Sequence, residues 1–531
     1  MTELVLGPLL RHVNEDSATV WVETDGPCTV RVLGAEAPTF EAGGRHYALV
    51  VITGLEPATS TAYQVRLDDE VAWPPPDYTR PAPRIRTLSE EDGRFRIVFG
   101  SCRKPREMPS LGYDALVAYA RRMAVLDEAE WPESLLLLGD QVYADETTEQ
   151  MRAWLRTKRD TSEPPGNEMA DFEEYARLYH EAWHDDWLRW LLSTVPTSMI
   201  FDDHDVRDDW NTSETWRHQM ARLDWWPQRI QGALASYWIY QHIGNLSPAE
   251  LADDPMFRQV TKSGEDNLPA LREFARQADA EADGKKGARW SYRRDFGPVR
   301  LLVIDTRAGR LLHDGHRSMV DEDEFAWIEH NAEGEYDHLL IGTSLPWLLP
   351  RSLAQLQSAN ERACERPGWR GRIAEWVRQT GDLEHWSAFR TSFDRLSDLI
   401  SRTGRGERGP ASISVLSGDV HHAYIAKAGY TPEVPAAINQ LTCSPLHNTV
   451  PWFMRLVFRL GWWRSAEKVA DALARRAGVP PLPLHWTRTS GPHFGNAIAT
   501  IDVDGRTAVA FLEQSGEAGL TRLPLVRLTE R

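Results

Sequence analysis

The chain of 531 residues lacks the features that would define a disulfide-stapled or membrane-embedded protein. It has only four cysteines and no CxxC pair, which excludes a disulfide scaffold and a zinc ribbon. No run approaches about 18 apolar residues, and the first residues lack a basic segment followed by an apolar one. We therefore expect no membrane span, no export signal and no membrane partner, and the sequence predicts a cytoplasmic protein in a reducing compartment.

Positive charge is also scarce. Lys and Arg total 60 against 78 Asp and Glu, which gives a formal net charge of −18. This charge opposes binding to a polyanion unless a local basic patch overrides it, so nucleic acid is not expected as a general partner. With 42% hydrophobic residues the chain can bury a large core, and its length predicts two or more domains. No sequence feature indicates an oligomeric state.

The first ninety residues are short β-branched and aromatic runs with no helical periodicity. Residues 18–23, 47–52 and 62–67 form such runs, separated by turn residues. The pattern predicts a small β-sandwich over residues 1–92, in which the turn at 54–57 and Tyr63 resemble those of fibronectin type III-like domains. A proline-rich stretch and a polar segment then predict a linker, with the domain boundary near residue 92.

Beyond this boundary, strand-like runs alternate with helical segments. Such alternation predicts an α/β domain over residues 93–531, with helices packed on a sheet. Helical periodicity without strand signals predicts insertions near 145–195, 206–290 and 454–477. Most of the 22 tryptophans lie in these helices, where they can pack in the core or wall a site.

Metal-binding side chains follow three of the buried strand-like runs. The runs lead into Asp140 and Tyr143, into Asp203 and His204, and into Asp419, His421 and His422. Ligands collect beyond the carboxyl ends of strands in open α/β sheets, so we expect these side chains to converge. Any one of them alone could be a helix cap or a core residue. Together they predict a site for several metal ions, in which Asp140 can bridge two cations.

The ordered motifs resemble those of the PhoD-like alkaline phosphatases, within the calcineurin-like metallophosphoesterases. Their GD-x-x-Y element also resembles that of purple acid phosphatases. The resemblance covers most of residues 95–515 and is carried by Phe99-Gly100-Ser101-Cys102, Gly139-Asp140-Gln141-Val142-Tyr143-Ala144-Asp145, Asp202-Asp203-His204-Asp205, Gly418-Asp419-Val420-His421-His422 and Ser444-Pro445-Leu446-His447-Asn448.

The resemblance implies a four-layer α-β-β-α core with helical insertions and a binuclear or larger metal centre. Such centres often pair Fe(3+) with Ca(2+), with Mn(2+) or Mg(2+) as alternatives at the second site. By resemblance, the iron ligands are Cys102, Asp140, Tyr143 and His421, with Asp140 as the bridge. Asp203 and Asp419 are the implied ligands of the second metal. Cys102 could instead be a buried small hydrophobe, because free cysteine is often buried.

The implied reaction is hydrolysis of a small-molecule phosphate ester by a metal-activated hydroxide. Two cations about 3.5 to 4 Å apart can clamp a phosphoryl group and supply that nucleophile. His204 is implied as the proton donor to the leaving group, unless it is only a satisfied core histidine. We expect substrate contacts from Arg103, Arg207 and His422, with Arg307 as a further candidate cation, although surface or structural ion pairs are common for arginine.

The resemblance favours a phosphomonoesterase, an alkaline phosphatase D-like enzyme, and two alternatives stay open. The same centre could hydrolyse diesters, or the chain could be a binding or scaffold protein with a vestigial metal site. Two departures from the family pattern matter. The twin-arginine export signal is missing, and residues 342–346 hold no histidine where purple acid phosphatases carry a ligand. An oxygen-rich second site of this kind favours calcium, magnesium or manganese over zinc.

Overall fold

The computed structural model describes residues 2–89, 93–105, 108–285, 287–406, 408–482 and 484–529. The expected boundary at residue 92 therefore lies outside the described residues. The N-terminal part forms strands only: β1 Leu4–Val13, β2 Ser17–Thr24, β3 Thr29–Val32, β4 Ala35–Pro38, β5 Phe40–Ala42, β6 Arg45–Thr53, β7 Ser60–Ala62, β8 Val65–Leu67, β9 Glu70–Trp73 and β10 Arg84–Arg86.

Two antiparallel four-stranded sheets, in the orders β1-β2-β6-β5 and β4-β3-β8-β9, share one apolar core in this part. β7 pairs with β10 beside them. Val20 and Val50 of the first sheet contribute to the core together with Val30 and Val65 of the second. The β-only character follows from the β-branched runs, because such side chains pack well on a pleated surface. The fibronectin type III-like assignment stays a prediction.

The described residues from 93 onwards form two seven-stranded sheets and one small hairpin. Their strands are β11 Arg94–Gly100, β12 Ser134–Leu138, β13 Thr197–Ile200, β14 Tyr292–Phe296, β15 Val299–Ile304, β16 Leu311–His313, β17 His316–Ser318, β18 His338–Thr343, β19 Ser412–Ser417, β20 Ala423–Tyr430, β21 Ala437–Thr442, β22 Leu484–His493, β23 Ala497–Asp504, β24 Thr507–Gly516, β25 Gly519–Arg522 and β26 Val526–Arg527.

The first of these sheets has the order β13-β12-β11-β23-β24-β25, with β26 also on β24, and the second has the order β14-β15-β18-β19-β21-β20-β22. β11, β12 and β13 are parallel, as are β15, β18, β19 and β21. The sheets contact each other: a Cβ added at Gly342 would lie 3.3 Å from both Leu136 and Leu138. Phe95 also stacks on Phe296 with ring centroids 4.5 Å apart.

Fifteen α-helices are found within the described residues. They are α1 Ala115–Met123, α2 Glu149–Lys158, α3 Phe172–Trp183, α4 Asp186–Thr194, α5 Glu214–Met220, α6 Trp226–Tyr237, α7 Pro248–Asp253, α8 Pro255–Lys262, α9 Leu268–Asp279, α10 Glu322–Asn331, α11 Arg351–Cys364, α12 Trp369–Thr380, α13 Arg390–Gly404, α14 Trp452–Gly461 and α15 Arg464–Ala477. The fold is thus mixed α/β, as predicted. No described helix combines the length and the apolar character needed to cross a membrane.

Helices occupy the three segments where insertions were expected, with α2–α4, α5–α9 and α14–α15 falling there. The sequence analysis did not anticipate α11–α13, which connect β18 to β19. Eight tryptophans are less than 2% exposed, so core packing accounts for a large share of this residue type. The division into two domains stays a prediction.

The N-terminal sheets are anchored on the α/β part by buried polar contacts. The Arg11 guanidinium donates from Nε to the Thr197 carbonyl at 2.9 Å and from Nη1 to the Tyr240 carbonyl at 2.9 Å. Tyr63 donates its hydroxyl to the Ser193 carbonyl at 2.6 Å. Since an unpaired buried polar group costs about 1 to 3 kcal/mol, these bonds favour a fixed arrangement of the two parts.

His242 gives the fold a testable acid sensitivity. It is buried, and its pKa falls to about 3 because burial disfavours the imidazolium, with smaller contributions from Arg289 and Arg11. In the unfolded chain His242 is protonated below about pH 6.5, whereas in the native chain it stays neutral. The free energy of unfolding therefore falls as pH drops below that value. At about pH 5.5 the loss attributable to His242 is about 1.4 kcal/mol.

Replacing His242 by glutamine should remove this share of the pH dependence. The unfolding free energy, from urea titrations between about pH 7.5 and 5.5, should decline less steeply in His242→Gln than in the unsubstituted protein, by about 1.4 kcal/mol at the lower pH. Any loss of stability that is the same at both pH values reflects packing and leaves the comparison intact. Parallel declines in the two proteins would contradict the assignment.

Candidate metal centre

The motif residues stand at turns directly after the central strands. Cys102 follows β11 with φ 57°, and Asp140 follows β12 with φ 51°. Asp419 and His421 follow β19 with φ 66° and 48°. A left-handed conformation costs a non-glycine residue about 1 to 3 kcal/mol, and such strain clusters at functional sites because the surrounding structure holds it there. Four strained residues from three strand ends therefore mark one site.

Two glycines allow these turns to approach each other. Gly139 has φ 102°, and a Cβ there would lie 2.5 Å from the Cβ of Asp202. A Cβ at Gly418 would lie 1.9 Å from the Ser101 hydroxyl oxygen. Beyond Gly418 the chain makes tight turns, with the Val420 amide donating to the Gly418 carbonyl at 2.9 Å. The segment that holds Asp419 and His421 is therefore a series of turns rather than a continuation of β19.

The candidate ligands form three overlapping groups. Within each group the ligand atoms lie within 4.8 Å of one another; the groups are Cys102, Asp140 and His421, then Asp140, Asp203 and His204, then Asp202, Asp203 and Asp419. Asp140 belongs to the first two groups and Asp203 to the last two. The side chains predicted as metal ligands thus converge, and Asp202 joins them although the sequence analysis gave it no role.

Tyr143 reaches the first group through its hydroxyl. That hydroxyl donates to Asp140 Oδ2 at 3.3 Å and accepts a bond from Asn448 Nδ2 at 2.9 Å. Asn448 Nδ2 also lies 3.4 Å from His421 Nε2. Asn448 had no predicted role, although it lies in the quoted motif at 444–448. Its position after β21 brings it to the same edge of the sheet as His421.

The acidic groups of the candidate metal centre lie in surroundings that disfavour their charged forms. Burial raises the pKa of Asp140 well above its usual range, and neighbouring carboxylates add to the effect. Burial also raises the pKa of the Cys102 thiol and the Tyr143 phenol, with the Asp140 charge as a further cause. Asp140 Oδ1 is buried without a hydrogen-bond partner, and Asp203 Oδ1 is buried with an ion pair to Arg307 but no hydrogen bond. A bound cation would reverse these shifts and give Asp140 Oδ1 a partner, so the donor set fits a metal centre.

His421 and His204 differ in protonation. Burial lowers the pKa of His421 to about 4, which keeps its imidazole neutral as metal binding requires. Burial also acts to lower the pKa of His204, but the charges of Asp145 and Asp203 outweigh it and the pKa is raised. His204 Nδ1 lies 2.9 Å from Asp145 Oδ1, and the pKa of Asp145 falls to about 2 because His204 outweighs its burial. Asp145 was part of a quoted motif but had no assigned role.

A buried arginine network supports the third ligand group. Arg307 is fully buried and pairs with Asp202 and Glu384, and its Nη2 lies 3.2 Å from Asp203 Oδ1. It also approaches Asp419 Oδ1 at 4.0 Å. Arg307 was one of three arginines expected as candidates for contact with the substrate. In the structure its guanidinium is paired with these carboxylates.

His385 supports Asp419 directly. Its Nε2 lies 3.0 Å from Asp419 Oδ2, and its Nδ1 lies 2.9 Å from Gln357 Nε2. Burial by itself would raise the pKa of Asp419, but the His385 hydrogen bond and charge, with Arg307, lower it. Neither His385 nor Glu384 had a sequence signal, because they follow α12 in an irregular segment rather than a buried strand.

The structure gives the other two predicted arginines different surroundings. Arg103 is buried, with its guanidinium bound to Asp114 Oδ2 at 2.8 and 2.9 Å and to the Ala182 carbonyl at 2.6 Å. These partners favour a structural role over the expected substrate contact. Arg207 is held by Glu168 at 3.4 Å and lies over the Trp225 ring, with its side chain 27% exposed. Its contact with substrate stays a prediction.

His422 belongs to none of the three ligand groups. Its Nδ1 lies 2.7 Å from the Val420 carbonyl, and its ring lies 4.2 Å from that of Phe458. Burial lowers its pKa to about 4. These surroundings favour a core position over the substrate contact expected from the sequence. Lys104 is a cation that had no predicted role: its Nζ lies 4.7 Å from the centre of the Tyr143 ring and pairs with Glu146.

Comparison with known proteins is consistent with this geometry. Residues 99–453 match the family model described as "PhoD-like phosphatase", and residues 1–85 match one described as "Domain of unknown function (DUF7800)". No curated protein matches the chain. A solved structure described as "Structure of PhoD" is similar with a TM-score of 0.57 at 12% sequence identity, over 98% of this chain and 92% of that one. At that identity the likeness shows the fold alone.

Proposed function

The chain belongs to the PhoD-like phosphatase family, which implies a phosphoric ester hydrolase, and on that premise we propose that it is a metallophosphoesterase with a binuclear or larger metal centre. One observation carries the proposal: Asp140 belongs to two candidate ligand groups at once. A carboxylate in that position can bridge two cations, because its two oxygens point apart. A vestigial centre would have lost such ligands, which argues against a scaffold protein.

The proposed ligand sets differ in hardness. Cys102, Asp140, Tyr143 and His421 would hold Fe(3+), since thiolate, phenolate and imidazole together suit a transition metal. Asp140, Asp203 and Asp419 would hold Ca(2+), Mn(2+) or Mg(2+), because an all-oxygen set suits a hard cation. When bound, such a pair of cations supplies a hydroxide nucleophile at neutral pH and charge to stabilise the phosphoryl oxygens.

Side chains of the protein would donate the proton to the leaving group and position the substrate. Asp145 accepts from His204 Nδ1 and orients the ring, which leaves Nε2 to donate a proton to the departing oxygen. Lys104 and Arg207 are the proposed cations for the phosphoryl group or its substituent. Helices on the outer faces of the two contacting sheets would make the four-layer α-β-β-α core of the family.

We propose a small phosphomonoester as the substrate class, with a diester as the second candidate. The experiment is elemental analysis of the purified protein together with hydrolysis rates on nitrophenyl phosphate and bis-nitrophenyl phosphate. Two or more metal equivalents and a faster monoester rate are the expected results. A faster diester rate would replace the monoesterase proposal, and metal-free protein with full activity would overturn the metallophosphoesterase proposal itself.

Cys102 offers a spectroscopic test of the iron assignment. Thiolate and phenolate ligands to ferric iron produce a visible charge-transfer band, so the native protein should be coloured. Cys102→Ser should weaken or shift that band, because an alkoxide is a poorer donor than a thiolate. Cys443→Ser is the matched control, since Cys443 is equally buried but belongs to none of the three ligand groups. A colourless protein, active with calcium or magnesium alone, would contradict the iron assignment.

A further inference from the structure

Four packed helices carry most of the large apolar side chains that the described residues expose. α11 contacts α12, α14 and α15, and α14 contacts α15. Twelve of the seventeen exposed large hydrophobic residues belong to these helices or to the α14–α15 turn, among them Trp369, Trp376, Trp452, Phe453, Leu456 and Trp463. We call this region the aromatic-basic face. Exposed apolar side chains gathered on contacting helices are typical of interaction sites.

The charge of the aromatic-basic face is opposite to that of the whole chain. Residues 351–380 and 452–477 contain twelve Lys and Arg but only five Asp and Glu, within a chain of net charge −18. Arg351 engages both acidic residues of α15, with Glu467 at 3.1 Å and Asp471 at 3.5 Å. No ion pair is found among the described residues for the exposed cations Arg464, Lys468, Arg475 and Arg476. The surface therefore presents uncompensated positive charge beside exposed tryptophans.

We propose that the aromatic-basic face docks on an anionic phospholipid surface. Helices with Trp, Phe and Leu on one side and Arg or Lys beside them lie in the membrane interface, where apolar burial and attraction to anionic lipid add together. Tryptophan favours that interface because its ring is amphipathic. A second copy of the chain is a poorer occupant, since a symmetric dimer would bring two basic faces together.

Two helices of the face adjoin residues of the metal centre along the chain. Trp452 opens α14 four positions after Asn448, which contacts Tyr143, and α12 ends just before Glu384 and His385. Docking would hold the centre beside the phospholipid head groups, so the proposal places a membrane partner where the sequence analysis expected none. Membrane docking does not depend on the hydrolytic activity. Only the benefit of docking, which is access to phosphate esters held at the membrane, rests on the proposed function.

Sedimentation with lipid vesicles tests the docking. The full-length protein should bind vesicles of phosphatidylcholine mixed with phosphatidylglycerol, bind phosphatidylcholine alone weakly, and detach as salt is raised. Arg464→Gln with Arg476→Gln should lower the partition coefficient about 25-fold, at about fivefold per cation removed. Trp452→Ser with Leu456→Ser should lower it about tenfold or more, because apolar area is no longer buried.

Leu525→Ser is the matched control, because Leu525 is 57% exposed against 52% for Leu456 but lies outside the face. Its binding should stay within about twofold of the unsubstituted protein. Hydrolysis of a soluble nitrophenyl ester should be equal in all these variants, so a failed binding test is distinct from a failed catalytic proposal. Equal binding to both vesicle types, or self-association abolished by the same substitutions without vesicle binding, would overturn the membrane proposal.

Discussion

Asp140→Asn is expected to lower the hydrolysis rate at least about a thousandfold, the scale seen when a main electrostatic contributor is removed. The physical reason lies in its shared position between two ligand groups. An amide offers one neutral oxygen, so it cannot bridge two cations or neutralise their charge. Metal content, measured by elemental analysis on the same sample, should fall together with activity.

Asp208→Asn is the matched control for this prediction. It replaces a carboxylate in the same region, since Asp208 Oδ1 lies 3.9 Å from His204 Nε2, but Asp208 is itself a member of none of the three ligand groups. We expect full metal content and a rate change of less than about tenfold. Normal metal content and normal turnover in Asp140→Asn would remove the bridging assignment.

His204→Ala should separate proton transfer from metal binding. A general acid matters most when the leaving group is a poor one, because only then must a proton arrive as the bond breaks. An alkyl phosphate should therefore slow by about a hundredfold or more, while an activated nitrophenyl ester slows far less. Metal content should stay nearly full.

Asp145→Asn tests the orientation of the same ring. Since Asp145 holds His204 Nδ1, its loss should reproduce the leaving-group preference with a smaller amplitude and shift the pH profile of the alkyl ester. His204 also shares a ligand group with Asp140 and Asp203, so loss of bound metal is the result that would contradict its role as proton donor. If both esters slow equally while metal is lost, His204 is a ligand and the proton donor must be another group.

Most of the candidate ligands were predicted from local sequence, and the family resemblance added Cys102. Each of Asp140, Asp203, Asp419 and His421 follows a short run of buried residues. Such a run forms a buried strand, and the carboxyl ends of parallel strands within one sheet share an edge of that sheet. Strand and helix patterns likewise predicted an α/β fold and the β-only N-terminal part, because periodicity reports which face of a segment is buried.

Side-chain direction was not readable in the same way. Arg103 and His422 adjoin predicted ligands in sequence, yet Arg103 turns to Asp114 and His422 to Phe458. Neighbouring positions project in different directions, and the tight turn after Gly418 could not be inferred from the extended pattern before it. Proximity along the chain was therefore a poor guide to which residues reach the substrate.

The sequence by itself determined the chemistry of the donors and the strands that carry them, because burial, periodicity and ligand type are local properties. Only the tertiary structure decided the network of Arg307, Glu384 and His385, which comes from segments far from Asp202 and Asp419 in the chain. It also assembled α11, α12, α14 and α15 into one exposed face. Contacts between distant segments depend on how the two sheets and their connecting helices pack, and no local pattern encodes that packing.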